Sequence, residues 1–186
     1  MVQAFLLSLR LLSRGRGVIK SFSVSALILL CFVVFETAIL SNMLFLPAVP
    51  DFLLIVTLYV SVHNGRLFGV SSGFVSGLFL DFLSASPFGL HSLFRTIIGY
   101  ISGVFNKTLN MDGVFLPILI GFVATLMKVF MIFVISVFFP DSVVPYSLLS
   151  KSFLFELAAN SILTPLVFKF LGIFSNVILL DPEQVS

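Results

Sequence analysis

Glycines recur at every fourth position in two separate series within residues 69–103 of this chain. Gly69, Gly73 and Gly77 form the first series, and Gly99 and Gly103 end the second. Residues four apart lie on one face of a helix, and faces of small residues let two membrane helices approach closely. A turn-like SASP sequence at residues 84–87 separates the two series. The stretch therefore predicts two antiparallel helices packed through their glycine faces within one chain, with Gly73 close to Gly99.

The composition places this hairpin in a membrane. Hydrophobic residues make up 59% of the chain and charged residues only 10%, and the mean hydropathy is +1.22. Soluble domains have about 45–50% apolar and about 25% charged residues. A net charge of +2 does not favour a nucleic-acid partner, and a single cysteine, Cys31, excludes an intramolecular disulfide and a cysteine-based metal site.

Six apolar segments are separated by turns, so we predict an all-α polytopic membrane protein whose residues 22–180 form one six-helix membrane domain. The second segment is shorter than the roughly 20 residues that a bilayer requires. The predicted spans are Phe22–Phe45, Asp51–His63, Leu67–Leu83, Phe88–Phe105, Val114–Phe139 and Ser152–Ile178.

Basic residues lie mainly on one side of the predicted spans. Residues 1–21 read as a basic amphipathic segment at the cytoplasmic surface, with a disordered basic tail as the alternative because RGRG interrupts the helical periodicity. Residues 181–186 form a short cytoplasmic tail. The first apolar run exceeds the about 7–15 residues of a signal-peptide core, which indicates a retained anchor. An excess of Lys and Arg in the cytoplasmic loops places both termini on the cytoplasmic side of the membrane; the inner set is Arg10, Arg14, Arg16, Lys20, Arg66 and Lys107, against Lys151 outside.

Ionisable residues within predicted spans are costly and face protein or water. Asp81, His91, Arg95 and Glu156 all fall in the outer half and are candidates for a polar pocket that binds a ligand or a partner's side chain. The alternative is that they are buried pairs that hold the bundle together. Asp51, at the outer boundary, is placed to cap the second helix.

Depth along the helices suggests two pairings. Asp81 lies at the level of His91 and Arg95, and either could be its partner. Glu36 and Lys128 both lie about 3 Å outward of the midplane and form a candidate buried ion pair. The sequence has no HExxH, GxSxG or Walker motif, and we predict neither a catalytic, cofactor or metal site nor an enzyme.

An ordered set of residues resembles a known family. The string GVSSGFVSGLFLD at 69–81 is its most specific part, and the set resembles the bacterial rod shape-determining protein MreD between about residues 50 and 103; the matching positions are Pro50, Asp51, Tyr59, Gly65, Gly69, Gly73, Phe74, Gly77, Leu78, Asp81, Gly89, Gly99 and Tyr100.

This resemblance implies a non-enzymatic subunit of the cell-elongation machinery, which helps to position peptidoglycan synthesis and maintain cell shape. It implies binding to MreC, with MreB, RodA and the elongation transpeptidase as further partners. The family is similar in architecture to the substrate-binding subunits of energy-coupling factor transporters, which have six helices and an outward pocket. The resemblance therefore implies a protein of the bacterial inner membrane whose outer polar pocket receives part of MreC. A vitamin-binding transporter subunit is the alternative, although the first span lacks an AxxxA docking face and the outer loops offer little aromatic surface beyond Tyr146.

Overall fold

The computed structural model describes residues 2–43, 46–106, 108, 111 and 113–179, with side chains from residue 17 onward except that of residue 18. All regular structure in these residues is helical. A single 3-10 turn, Leu40–Asn42, follows the first helix. The helices are α1 Val2–Ala38, α2 Phe52–Asn64, α3 Arg66–Leu83, α4 Leu90–Val104, α5 Phe115–Phe138, α6 Lys151–Gly172 and α7 Ser175–Ile178.

Four helical segments are long and apolar enough to cross a membrane: Ile19–Asn42, Arg66–Leu83, Phe115–Phe138 and Lys151–Gly172. The prediction of an all-helical membrane protein is therefore confirmed. Helices α2 and α4 have 13 and 15 residues, fewer than the roughly 20 that span a bilayer unaided. Six crossings thus stay a prediction.

Several predicted boundaries move. Helix α1 continues from Val2 through the predicted boundary at residue 21 and ends at Ala38, while the predicted end at Phe45 lies outside the described residues. Helix α4 begins at Leu90 because Gly89 has a φ of +93°, in the left-handed region that ends regular helix. The predicted tail at 181–186 and the inner-turn Lys107 also lie outside the described residues.

Helix α2 is the centre of the bundle. It contacts α1, α3, α4, α5 and α6, and all of its residues except Phe52 and His63 are buried. Asp51 caps its first turn, with the Leu54 N–H donating to Asp51 Oδ1 at 2.9 Å. Gly65, with a φ of +89°, ends α2 and starts α3 without a loop. The other helices form a layer around α2, in the order α1, α3, α4, α5, α6.

Helices α3 and α4 pack with their backbones in contact. A methyl group built on Gly69 would lie 2.2 Å from the Gly99 carbonyl oxygen, and one built on Gly73 would lie 2.3 Å from that of Arg95. The predicted packing of two glycine faces is present, but the predicted Gly73–Gly99 contact is wrong by one helical turn. Gly77 faces Ser92, and Gly103 faces Arg66.

Helices α5 and α6 form a second antiparallel pair, in which Gly121 lies against the Thr164 side chain. Between α6 and α1 the layer opens into an apolar groove. At the end of the bundle that carries Gly65, the short helix α7 packs against α1. We call this the Gly65 end and the opposite one the Asp51 end.

Replacing Gly99 with alanine should destabilise the protein, because the added methyl would lie 2.1 Å from the Gly69 carbonyl oxygen. Overpacking of this kind costs about 1–3 kcal/mol. The atoms that the methyl would meet are backbone atoms of Gly69, which cannot rotate away as a side chain can. Gly172→Ala is the matched control, since a methyl at that helical position meets nothing within 4 Å. Thermal unfolding in detergent should show a clear loss for Gly99→Ala alone, and equal effects would contradict the close α3–α4 contact.

Candidate functional site

Asp51 is the point at which the buried charges meet. Its side chain lies at the N-terminus of α2 and is almost fully buried. Arg95 on α4 donates from Nη2 to Asp51 Oδ1 at 2.6 Å, and Lys128 on α5 donates from Nζ to Oδ2 at 2.8 Å. The same carboxylate also caps α2, so it ties three helices together.

The ion pairs extend to a fourth helix. Lys128 Nζ also donates to Glu156 Oε1 on α6, at 2.6 Å. Arg95, Asp51, Lys128 and Glu156 therefore form a line of alternating charges, which we call the charge chain. All four residues are buried, and a buried ion is tolerated when an opposite charge and hydrogen bonds replace the lost water.

Neutral side chains complete the hydrogen bonds around the charge chain. The Asp51 N–H donates to Asn160 Oδ1 at 2.8 Å, and Asn160 Nδ2 donates to Thr125 Oγ1 at 3.1 Å. Asn160 lies one helical turn beyond Glu156 on α6, while Thr125 lies one turn before Lys128 on α5. The polar faces of α5 and α6 thus pair with each other and with the start of α2.

The loop between α5 and α6 covers the charge chain at the Asp51 end. Val143 is buried, and Tyr146 is half-buried with its ring 6.4 Å from that of Phe153. Lys128 lowers the pKa of Tyr146, but burial and the carboxylates of Glu156 and Asp51 outweigh this effect and raise the pKa above its usual value. Tyr146 therefore interacts with three residues of the charge chain: Lys128, Glu156 and Asp51.

Asp81 belongs to a separate cluster that fastens the end of α3 to the start of α4. Its carboxylate accepts from the His91 N–H at 2.9 Å, the Ser92 N–H at 3.1 Å and the Ser92 hydroxyl at 2.6 Å. His91 Nδ1 lies 2.9 Å from Asp81 Oδ1. A carboxylate is well placed on the free N–H groups of a helix start. Both oxygens of the Asp81 carboxylate are engaged in these contacts at the start of α4.

The geometry decides between the two alternatives that the sequence left open for Asp81. Of the two partners proposed for Asp81, His91 makes the contact, whereas Arg95 points to Asp51.

The predicted Glu36–Lys128 pair is wrong. Lys128 binds Asp51 and Glu156, while Glu36 accepts a 3.3 Å hydrogen bond from the Leu53 N–H. Equal depth did not make them neighbours, because α1 packs on α2 and α3 whereas α5 packs on α2, α4 and α6.

The four residues predicted to line an outer pocket thus fall into two groups: Arg95 and Glu156 belong to the charge chain, and Asp81 and His91 belong to the separate cluster between α3 and α4. Only His91 is partly accessible, with 15% of its side chain exposed. Arg95 has further bonding capacity, because its Nε and Nη1 atoms have no hydrogen-bond partner in the described part of the chain. No group of His, Cys, Asp or Glu able to hold a metal ion occurs among the described residues.

Asp51 is the residue whose importance the sequence understated. The pattern placed it at a helix start but did not reveal that it links two cations. Depth could not reveal this link, because Asp81 lies at the level of Arg95 and Glu36 at that of Lys128, so four acids compete for the two cations. Thr125 and Gly121 were missed, and their spacing of three and seven residues from Lys128 is the pattern that indicates a shared helix face.

Comparison with known protein families gives a match that covers most of the chain. The model of the family described as rod shape-determining protein MreD matches residues 18–174. The chain belongs to the MreD family. This confirms the resemblance carried by the glycine series and Asp81, and the match includes every residue of the charge chain. Searches of curated proteins and of solved structures found no match.

Family membership and the four candidate spans together identify a multi-pass protein of the inner membrane with a role in determining cell shape.

Asp51→Asn should destabilise the bundle strongly, because it removes the ion-pair partner of buried Arg95 and one of the two carboxylates that bind buried Lys128. Breaking a buried ion pair from one side costs about 3–5 kcal/mol. The free energy of unfolding can be measured in micelles titrated with SDS. Asp141→Asn in the exposed α5–α6 loop is the matched control, and similar losses in the two variants would contradict the role assigned to Asp51.

Double-mutant cycles on unfolding free energy should distinguish the observed pairing from the rejected one. For Asp51→Asn with Arg95→Gln we expect a coupling of about 0.5–3 kcal/mol, as for residues in one ion-pair network. For Asp81→Asn with Arg95→Gln we expect less than about 0.5 kcal/mol. A larger coupling in the second cycle would mean that Arg95 bonds to Asp81 in the membrane.

Proposed function

We propose that this chain is the non-enzymatic membrane subunit of the rod complex that binds MreC and helps to position peptidoglycan synthesis. The observation that carries the proposal is the family match over residues 18–174. MreB, RodA and the elongation transpeptidase are the further partners in this proposal. The protein would act by holding its partners at fixed positions around a rigid bundle.

The proposed orientation has six crossings and both termini in the cytoplasm. The basic residues of the first 20 positions and Arg66 at the Gly65 end support it, since positive charge is concentrated in cytoplasmic segments. The short helices α2 and α4 can complete a crossing because α2 lies inside the bundle and α4 packs closely on α3 and α2. The Asp51 end then faces outward.

The pairing of the charges supports a structural role for them. The cations of the charge chain meet its carboxylates, and the Asp81 carboxylate is occupied by four contacts at the start of α4. A catalytic group needs access to a substrate, whereas these side chains are used to join helices. We therefore propose that the protein is a scaffold.

We place the MreC contact at the turn between α3 and α4. Phe82, Leu83 and Phe88 are exposed there, and the rings of Phe82 and Phe88 pack at 5.0 Å. Exposed aromatic groups beside a rigid turn are typical anchors of protein interfaces. His91, partly exposed beside this turn, offers a polar contact.

Depletion of the protein tests the functional assignment. Rod-shaped cells should become round, with lateral wall growth lost, and the wild-type gene should restore both. Normal shape together with lost uptake of one vitamin would instead support the transporter alternative and overturn the proposal.

The proposed contact makes a separate prediction. Replacing both Phe82 and Phe88 with serine should lower MreC co-purification at least several-fold, with normal accumulation in the membrane. Phe130→Ser is the control, because Phe130 is equally an exposed aromatic residue but lies on α5. Unchanged co-purification in the double variant would exclude this turn as the MreC contact.

A further inference from the structure

The groove between α1 and α6 combines apolar walls with a cation at one end. Its volume is about 480 Å³, within the range of about 300–1,000 Å³ that is common for small-molecule sites. Leu27 and Phe35 line it from α1, Phe170 lines it from α6, and Phe174 lines it from the turn before α7. These four side chains are exposed despite their size.

One face of α1 joins this groove to a positive charge. Val24, Leu27, Cys31 and Phe35 follow one another at intervals of three or four residues and line the groove. Lys20 precedes Val24 by four residues in the same uninterrupted helix, so it lies one turn below the groove on the same face. Lys20 is exposed and has room to meet a ligand.

The walls favour a flexible chain over a partner helix as the occupant. Membrane helices that pack closely meet through small residues, and α3 and α4 of this protein do so. The groove instead carries several phenylalanines and two leucines, which hold a helix at a distance but leave gaps that an acyl chain can fill. Lys20 at the open end supplies the charge that a phosphate would need.

We propose that the groove between α1 and α6 binds the acyl chain of an anionic phospholipid whose phosphate pairs with Lys20. This binding would fill the opening in the helical layer at the Gly65 end, where α7 already packs against α1. It is independent of the proposed contact with MreC at the Asp51 end.

Cys31 makes the proposal testable, because it is the sole cysteine of the chain and lines the groove. A small fluorophore on Cys31 reports lipid contact when the full-length protein is placed in vesicles containing brominated lipid as a quencher. Quenching is compared between brominated phosphatidylglycerol and brominated phosphatidylcholine. We expect preferential quenching by phosphatidylglycerol, and Lys20→Gln should reduce the preference about fivefold, the effect of one lysine near anionic lipid.

Two controls accompany this measurement. Lys151→Gln removes an exposed lysine at the other end of α6 and should leave the preference unchanged. A fluorophore on Cys at position 130, from Phe130→Cys in a Cys31→Ser background, lies on the exposed face of α5 and should show a preference close to one.

Three results would overturn the proposal. The first is equal quenching by both lipids at Cys31, which means ordinary solvation by the bilayer. The second is a preference that survives Lys20→Gln. The third is protection from both lipids, which means that a protein or a second copy of this chain fills the groove.

Discussion

The structure depends on placing one carboxylate, Asp51, where no water can reach it. Isolated in the bundle, that charge would be prohibitively expensive, so two cations and a helix start are gathered around it. Arg95 and Lys128 come from helices that do not follow α2 directly in the chain. The bonds to this one buried carboxylate fix the mutual position of α2, α4 and α5. Lys128 also binds Glu156, which fixes the position of α6.

Packing by shape and packing by charge are divided between two halves of the molecule. Helices α3 and α4 are joined by direct backbone contact at their glycines, without any ion pair along that seam except at its Asp81 end. The seam between α4 and α5 is looser and is bridged through Asp51. A lipid environment gives no hydrophobic force between helices, so close van der Waals contact and polar bonds are the two means available, and this protein uses each where the other is weak.

The sequence predicted how deep each residue lies along its helix better than which neighbouring helix its side chain faces. Four-residue spacing of glycines correctly predicted the α3–α4 hairpin, and hydropathy predicted the helical class, because both are properties of a single helix. Depth correctly grouped Asp81 with His91 but wrongly joined Glu36 to Lys128. Depth does not specify which face of a helix meets which neighbour, and that choice follows from α2 lying between α1 and α5. The role of Asp51 needed the same three-dimensional information.

The burial of α2 has a consequence for how the protein is made. A helix of 13 residues with Asp51 at its start and Thr57 and Ser61 in its middle is a poor candidate for independent insertion into lipid. Asp51 finds its side-chain partners on α4, α5 and α6, and Thr57 finds one on α3; all four helices are synthesised after α2. We therefore expect α2 to reach its final position only after the later helices are inserted, and to lie beside α1 or the insertion machinery until then. The central helix is thus the last part of this bundle to complete its contacts.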